Sequence, residues 1–333
     1  MTTAARSRFL ALLREADTGL KADLAEYVAR VRTLLLNEAD HDGHIPIERW
    51  PEIQRQIIAL LLAYFVDGSG HAYRLAHNGT LVPTSPYLRR LWAAVEQATR
   101  LGVGEQADDL RSALRDFPEL IRPLEIADAN PFLPYVYAGM IDAEVRGLFS
   151  AYVPPQSMEW DDHRTLDDRV LIDAAATRGL TARLLRQLLS EQKSPAQIAQ
   201  ALGDYFAGRG TRSGLHNGAF NAQRLLATSI NYAYQNAQRM SAALNPFVAT
   251  VDWVLSSSHR EVDICDSLAA GSPYSVATVP PFPGHAGCLC RLVFHNRHDI
   301  TAVVSALRGS PLLKVQGALS PRFADLLLRG FHA

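Results

Sequence analysis

Residues 253–291, WVLSSSHREVDICDSLAAGSPYSVATVPPFPGHAGCLCR, hold all three cysteines of the chain and two of its histidines in one turn-rich stretch. Cys265, His285, Cys288 and Cys290 follow the spacing C-x19-H-x2-C-x-C, with His259 and Asp263 close by. Glycines and prolines between them allow the backbone to fold back on itself. On the N-terminal side, Phe247, Ala249, Val251, Trp253 and Leu255 alternate with Val248, Thr250, Asp252, Val254 and Ser256, the period of two that marks a strand. On the C-terminal side, LCRLVFH (Leu289 to His295) reads as a second strand. The stretch is therefore expected to be a Cys/His loop hung between two paired strands, and it decides that the fold contains a sheet at all.

Upstream the periodicity is helical. Leu20, Leu24, Val28, Val31 and Leu35 recur at spacings of three and four, the signature of one buried helix face. WPEIQRQIIALLLAYF (Trp50 to Phe65) has apolar residues on so many sides that it reads as a fully buried helix. Breaks are expected at HDGHIP (His41 to Pro46), DGSGH (Asp67 to His71), PTSP (Pro83 to Pro86) and ADANPFLP (Ala127 to Pro134). After VPPQ (Val153 to Gln156) two helices are expected, joined at Lys193-Ser194. There Ser194 is suited to the N-cap, Pro195 to the first turn and Gln197 to the reciprocal bond of a capping box, with Ile198, Leu202 and Phe206 facing inward. The glycines Gly208, Gly210, Gly214 and Gly218 lack the preceding strand of a phosphate-binding turn and read as a hinge. A long helix, AFNAQRLLATSINYAYQNAQRMSAAL, follows.

These patterns define an α+β protein, predominantly α-helical. A helical N-terminal region covers residues 1–155, a module of long helices packed on a small β-sheet with the Cys/His loop covers 156–300, and a tail covers 301–333. With 333 residues and 48% apolar residues the chain can bury a sizeable core. Thirty-three basic and 34 acidic side chains give a formal charge of −1, so any contact with nucleic acid must be local. The interval between Asp204 and Asp252 has no acid and carries Arg209, Arg212, His216, Arg224 and Arg239, which makes it the candidate basic face toward DNA or an acidic protein. The longest apolar run, Ile57 to Val66, is about half of what a bilayer requires, so no membrane partner is expected.

Thiolate and imidazole ligands suit zinc, and four of them make a closed structural site. Cys265, His285, Cys288 and Cys290 supply that number; for both sulfurs of the C-x-C pair to serve one ion the backbone there must be irregular, and His259 is the substitute for Cys290. A zinc-dependent enzyme acting on nucleic acid or nucleotide, deaminase- or nuclease-like, is the alternative. His259-Arg260-Glu261 supplies the H-x-E of a zinc deaminase, but Gly287-Cys288-Leu289-Cys290 has neither the proline nor the two-residue gap of its P-C-x-x-C partner. A nucleophilic pair of Cys265 with His285 is a further arrangement these residue types allow.

The order of helical pair, long helix ending in NYAYQNAQR, strand with Trp253, Asp263-Ile264-Cys265-Asp266, and then Pro280, Pro281, His285, Cys288 and Cys290 resembles the Mu F-like phage head morphogenesis or minor capsid proteins. The likeness spans Asp167 to Phe294. The chain has Ala227-Thr228-Ser229 where that family often has R-T-E, Val262 at the first cysteine of the two-cysteine form, and Ala286 after the histidine. The resemblance implies a non-enzymatic minor head protein of a tailed phage or prophage, in the virion head and, during assembly, the host cytoplasm. Its implied partners are the portal protein, the major capsid or scaffolding protein and phage DNA during packaging.

Overall fold

The computed structural model describes residues 3–65, 73–75, 81–116, 166–207, 218–245, 247–285 and 287–297. Among these the fold is α+β and mostly helical, as expected. The elements run α1 (Thr3–Asn37), a 3-10 turn (Ile47–Arg49), α2 (Trp50–Phe65), β1 (Tyr73–Leu75), β2 (Leu81–Pro83), α3 (Pro86–Asp116), α4 (Leu166–Ser190), α5 (Pro195–Phe206), α6 (Gly218–Leu244), β3 (Val248–Val254), α7 (Ile264–Ala270) and β4 (Arg291–Asn296). Two antiparallel sheets of two strands each are formed, β1 with β2 and β3 with β4.

The chain divides into two compact units, each drawn from separate stretches: one from Met1–Leu10, Glu96–Tyr152 and Asn231–Ala333, the other from Ala11–Val95 and Val153–Ile230. The boundary expected at 155 and the tail expected from 301 lie outside the described residues, as do Asp67 to His71, Ala127 to Pro134, Arg209, Arg212 and His216.

In the second of these units, the apolar stripe of α1 is buried at Leu20, Leu24, Tyr27, Val31 and Leu35, while Val28 is half-buried. The α2 helix, read from its sequence as fully buried, instead buries one side only: Ile53, Ile57, Leu61, Tyr64 and Phe65 point inward and Ala59 and Ala63 are exposed. It packs against α4. Polar bonds tie the helices together: Tyr27 Oη donates to Ile57 O at 3.0 Å, and the Asp23 carboxylate takes Arg90 Nε at 2.8 Å and Tyr64 Oη at 3.1 Å. Ser85 starts α3 by accepting from Leu88 N–H at 3.2 Å while its hydroxyl donates to Phe65 O at 2.9 Å. α5 begins as its sequence requires, with Ser194 and Gln197 exchanging side-chain and backbone bonds and Ile198, Leu202 and Phe206 buried.

In the first unit, β3 lies between β4 on one edge and Tyr274 on the other, which exchanges two backbone bonds of 2.8 Å with Val251. Alternation places Val251 and Trp253 in the core, and a register shift between Val248 and Thr250 turns Val248 inward beside Phe247. β4 begins at Arg291 rather than at Leu289. Here α3 and α6 approach so closely that a Cβ on Gly102 would stand 2.4 Å from Tyr234 O. Phe9 of α1 stacks on the Tyr234 ring at 4.5 Å.

Candidate metal centre

The loop between β3 and β4 builds a small core of its own. Val251, Trp253, Cys265, Val279, Phe282, Cys288, Cys290 and Leu292 form one buried cluster, with the Trp253 and Phe282 rings 4.9 Å apart. The two halves of the loop meet over Cys265: a Cβ on Gly284 would lie 3.2 Å from its Sγ and 3.3 Å from the Trp253 ring, so a side chain in the turn that delivers His285 would have to push its neighbours aside by a few tenths of an ångström.

Each ligand-type residue is placed by a local device. Asp263 is the N-cap of α7, accepting from Cys265 N–H at 2.7 Å, and Asp266 Oδ2 accepts from Asp263 N–H at 2.8 Å, which closes a capping box and aims Cys265 inward. Cys288 and Cys290 precede β4. On a regular strand residues two apart share a face but sit about 6.6 Å from each other. Here Gly287 has φ 82, residues 288–290 are not strand, and both sulfurs turn into the same core with exposures of 1% and 2%. Asn231 of α6 holds that conformation, its Nδ2 donating to Cys288 O at 2.9 Å and to Cys290 O at 3.3 Å. Gln235 accepts from Leu292 N–H at 3.0 Å, and Asn236 donates to Phe282 O at 3.0 Å.

The result is a cluster of soft donors. One ligand atom each from Cys265, His285 and Cys288 lies within 4.8 Å of the others, an arrangement that can hold a metal ion. Cys265 Sγ and Cys288 Sγ are 3.6 Å apart, and all three cysteines are free thiols. Two thiolates on a tetrahedral ion at ~2.3 Å from each would be ~3.8 Å apart, so the observed pair already has the separation a shared zinc demands. Cys290 stands outside the 4.8 Å group but belongs to the same buried cluster, with Cys288 and Cys265 both acting on its thiol. Of the four residues singled out from the sequence, the fold thus brings three to one point and the fourth alongside.

Electrostatics divides the thiols unequally. The hydrogen bond from Cys288, helped by a backbone bond at Ser256, brings Cys290 down to about 6. Burial pushes Cys265 up to about 12, and the partnership with Cys290 followed by burial raises Cys288. Cys290 is thus the thiol whose proton leaves most readily, and an ion entering the cluster would displace the protons of the thiols that bind it.

Around the sulfurs lies a ring of imidazole and carboxylate. His285 Nε2 is 3.0 Å from Asp263 Oδ2, while His259 Nε2 is 2.9 Å from Asp266 Oδ2 and its Nδ1 is 4.0 Å from Asp263. The Asp266 bond raises the His259 ring above its ordinary value. His259, Asp263 and Asp266 form a second ligand-type group beside the first. His259 is therefore occupied with carboxylates rather than with sulfur.

Two residues of the catalytic arrangements read from the sequence can be placed. Cys265 is 0% exposed with its thiol pushed upward, which opposes attack on a substrate. Glu261, the acid of the H-x-E triplet, is exposed in the turn ahead of α7. The acid-free interval also has a different explanation on α6: Thr228, Ser229, Asn231, Tyr234, Gln235, Asn236, Gln238 and Ser241 are all buried, and an unpaired carboxylate would be expensive there. Asn231, Gln235 and Asn236 were invisible as site residues because their partners lie 46 to 59 positions away in sequence. The one available signal was the density of amides in NYAYQNAQR.

Comparison of the chain with known protein families, with curated proteins and with solved structures gives no match.

Proposed function

We propose that this chain is a structural minor head protein of a tailed phage or prophage, assisting procapsid assembly and DNA packaging at the portal. Its Cys/His loop serves as a closed zinc centre that fixes the β3–β4 hairpin. The observation that carries the reading is the meeting, over Trp253, of the two separated motif segments on which the Mu F-like resemblance rests. Asp263-Ile264-Cys265-Asp266 supplies a capped turn and one sulfur; His285, Cys288 and Cys290 supply the remainder. Sulfur and imidazole donors favour zinc over harder cations, and sulfurs exposed by 2% or less suit a structural site rather than one open to substrate. That burial weighs against the zinc-enzyme alternative.

The test of role is recovery of tagged full-length protein from cells producing phage particles, followed by mass spectrometry. Portal protein should be enriched well above an untagged control, with capsid or scaffolding protein in smaller amount. Recovery without any head component would remove the assembly role.

A further inference from the structure

The Asp263 carboxylate addresses two candidate ligands at once. Oδ1 caps α7 by accepting from Cys265 N–H at 2.7 Å. Oδ2 stands 3.0 Å from Nε2 of His285, a residue 22 positions further along that plays no part in the cap. Capping a helix requires one oxygen only. The second oxygen meets the ring of a ligand-type histidine at an ion-pair distance, without the alignment of a hydrogen bond; a small turn of that ring would make it the carboxylate–imidazole bond by which metal centres fix the tautomer and raise the basicity of an imidazole ligand. Asp263 is itself anchored, since its backbone N–H donates to Asp266 Oδ2 at 2.8 Å, and that same oxygen lies 2.9 Å from His259 Nε2.

We propose that Asp263 is a positioning residue for the metal centre, its two carboxylate oxygens setting Cys265 through the backbone and His285 through the ring. The inference rests on the loop binding a metal, and the experiment separates the two ideas. Asn caps a helix about as well as Asp. Asp263→Asn therefore keeps an acceptor for Cys265 N–H while withdrawing the carboxylate from His285, and Asp263→Ala removes both.

Full-length protein and both variants are stripped of metal and their thermal midpoints compared. Zinc affinity is then measured by competition with a chromophoric chelator, and the Co²⁺-substituted spectrum is recorded. The Asn variant is expected to match the wild-type apo midpoint, to bind zinc about ten- to a hundredfold more weakly and to show a changed Co²⁺ ligand-field band. The Ala variant is expected to lose apo stability in addition. Wild-type zinc affinity in the Asn variant would leave Asp263 as a helix cap alone and overturn the inference while the zinc reading stands. An apo midpoint lowered in Asn as much as in Ala would make the weaker binding a folding effect and overturn it equally. Failure of the wild-type protein to bind Zn²⁺ or Co²⁺ would remove the zinc centre and the inference with it.

Discussion

At the scale of single residues, the question the loop poses is which side chain would complete the coordination of an ion held by Cys265, His285 and Cys288. Cys290 lies in the same buried cluster as the other two sulfurs and carries the lowered thiol, whereas His259 is held by Asp266 at 2.9 Å. Cys290→Ser should therefore abolish stoichiometric zinc, and His259→Ala should retain about one ion per chain, as read by elemental analysis of protein purified without chelator. The reverse pattern would transfer the fourth place to His259. The roles of Cys265 and His285 as partners were visible in their spacing, because few other residue types could serve a loop of that composition. Asp263 was visible as a neighbour of the cysteine but its contact with His285 was not, since nothing local reports which way a turn 22 residues away will fold back.

At the scale of elements, legibility followed the range of the interaction. The α5 start could be read completely because Ser194, Pro195 and Gln197 act on one another within a single turn. The alternation of β3 was legible up to the bulge at Val248, which depends on its partner strand. β4 starts two residues late because Cys288 and Cys290 are committed to the core and to Asn231 before ladder pairing begins. The β1–β2 hairpin went unread in a region of helical pattern: its strands have three residues each, although Asn78-Gly79 between them is a turn dipeptide. α6 was read only as a long helix lacking acids, since its amides do not reveal their partners until the backbone they serve has been assembled beside them. The approach of α3 to α6 gives a direct test. Gly102→Ala must displace the backbone at Tyr234, as its Cβ would meet that carbonyl at 2.4 Å. A loss of about 1–3 kcal/mol in urea unfolding is expected, although alanine has the better helix propensity. An unchanged or increased stability would show that the two helices part at no cost.

For the molecule as a whole, an ion held by the Cys/His cluster is expected to act locally, because its candidate ligands all lie between residues 265 and 290. Removing the ion should leave three buried thiols under a loop still held by Asn231, Gln235 and Asn236, by the Tyr274–Val251 backbone bonds and by its own apolar cluster. Chelation should accelerate amide hydrogen exchange between residues 256 and 290 while α2, α4 and α5 keep their protection, because their packing contains no cysteine. Loss of protection throughout the chain would mean that the ion supports the global fold. Each compact unit, moreover, recruits stretches from both halves of the chain: residues 96–116 of α3 and 231–244 of α6 belong with the metal hairpin, whereas 11–65 and 166–207 belong together elsewhere. Such interlacing governs how the gene can change. A crossover near codon 155 joining halves from two divergent parents would split both units, pairing each glycine-sized gap on one helix with a foreign backbone. Recombination should therefore succeed only between close sequences or when it replaces the whole reading frame, and variation should accumulate by point substitution rather than by exchange of parts.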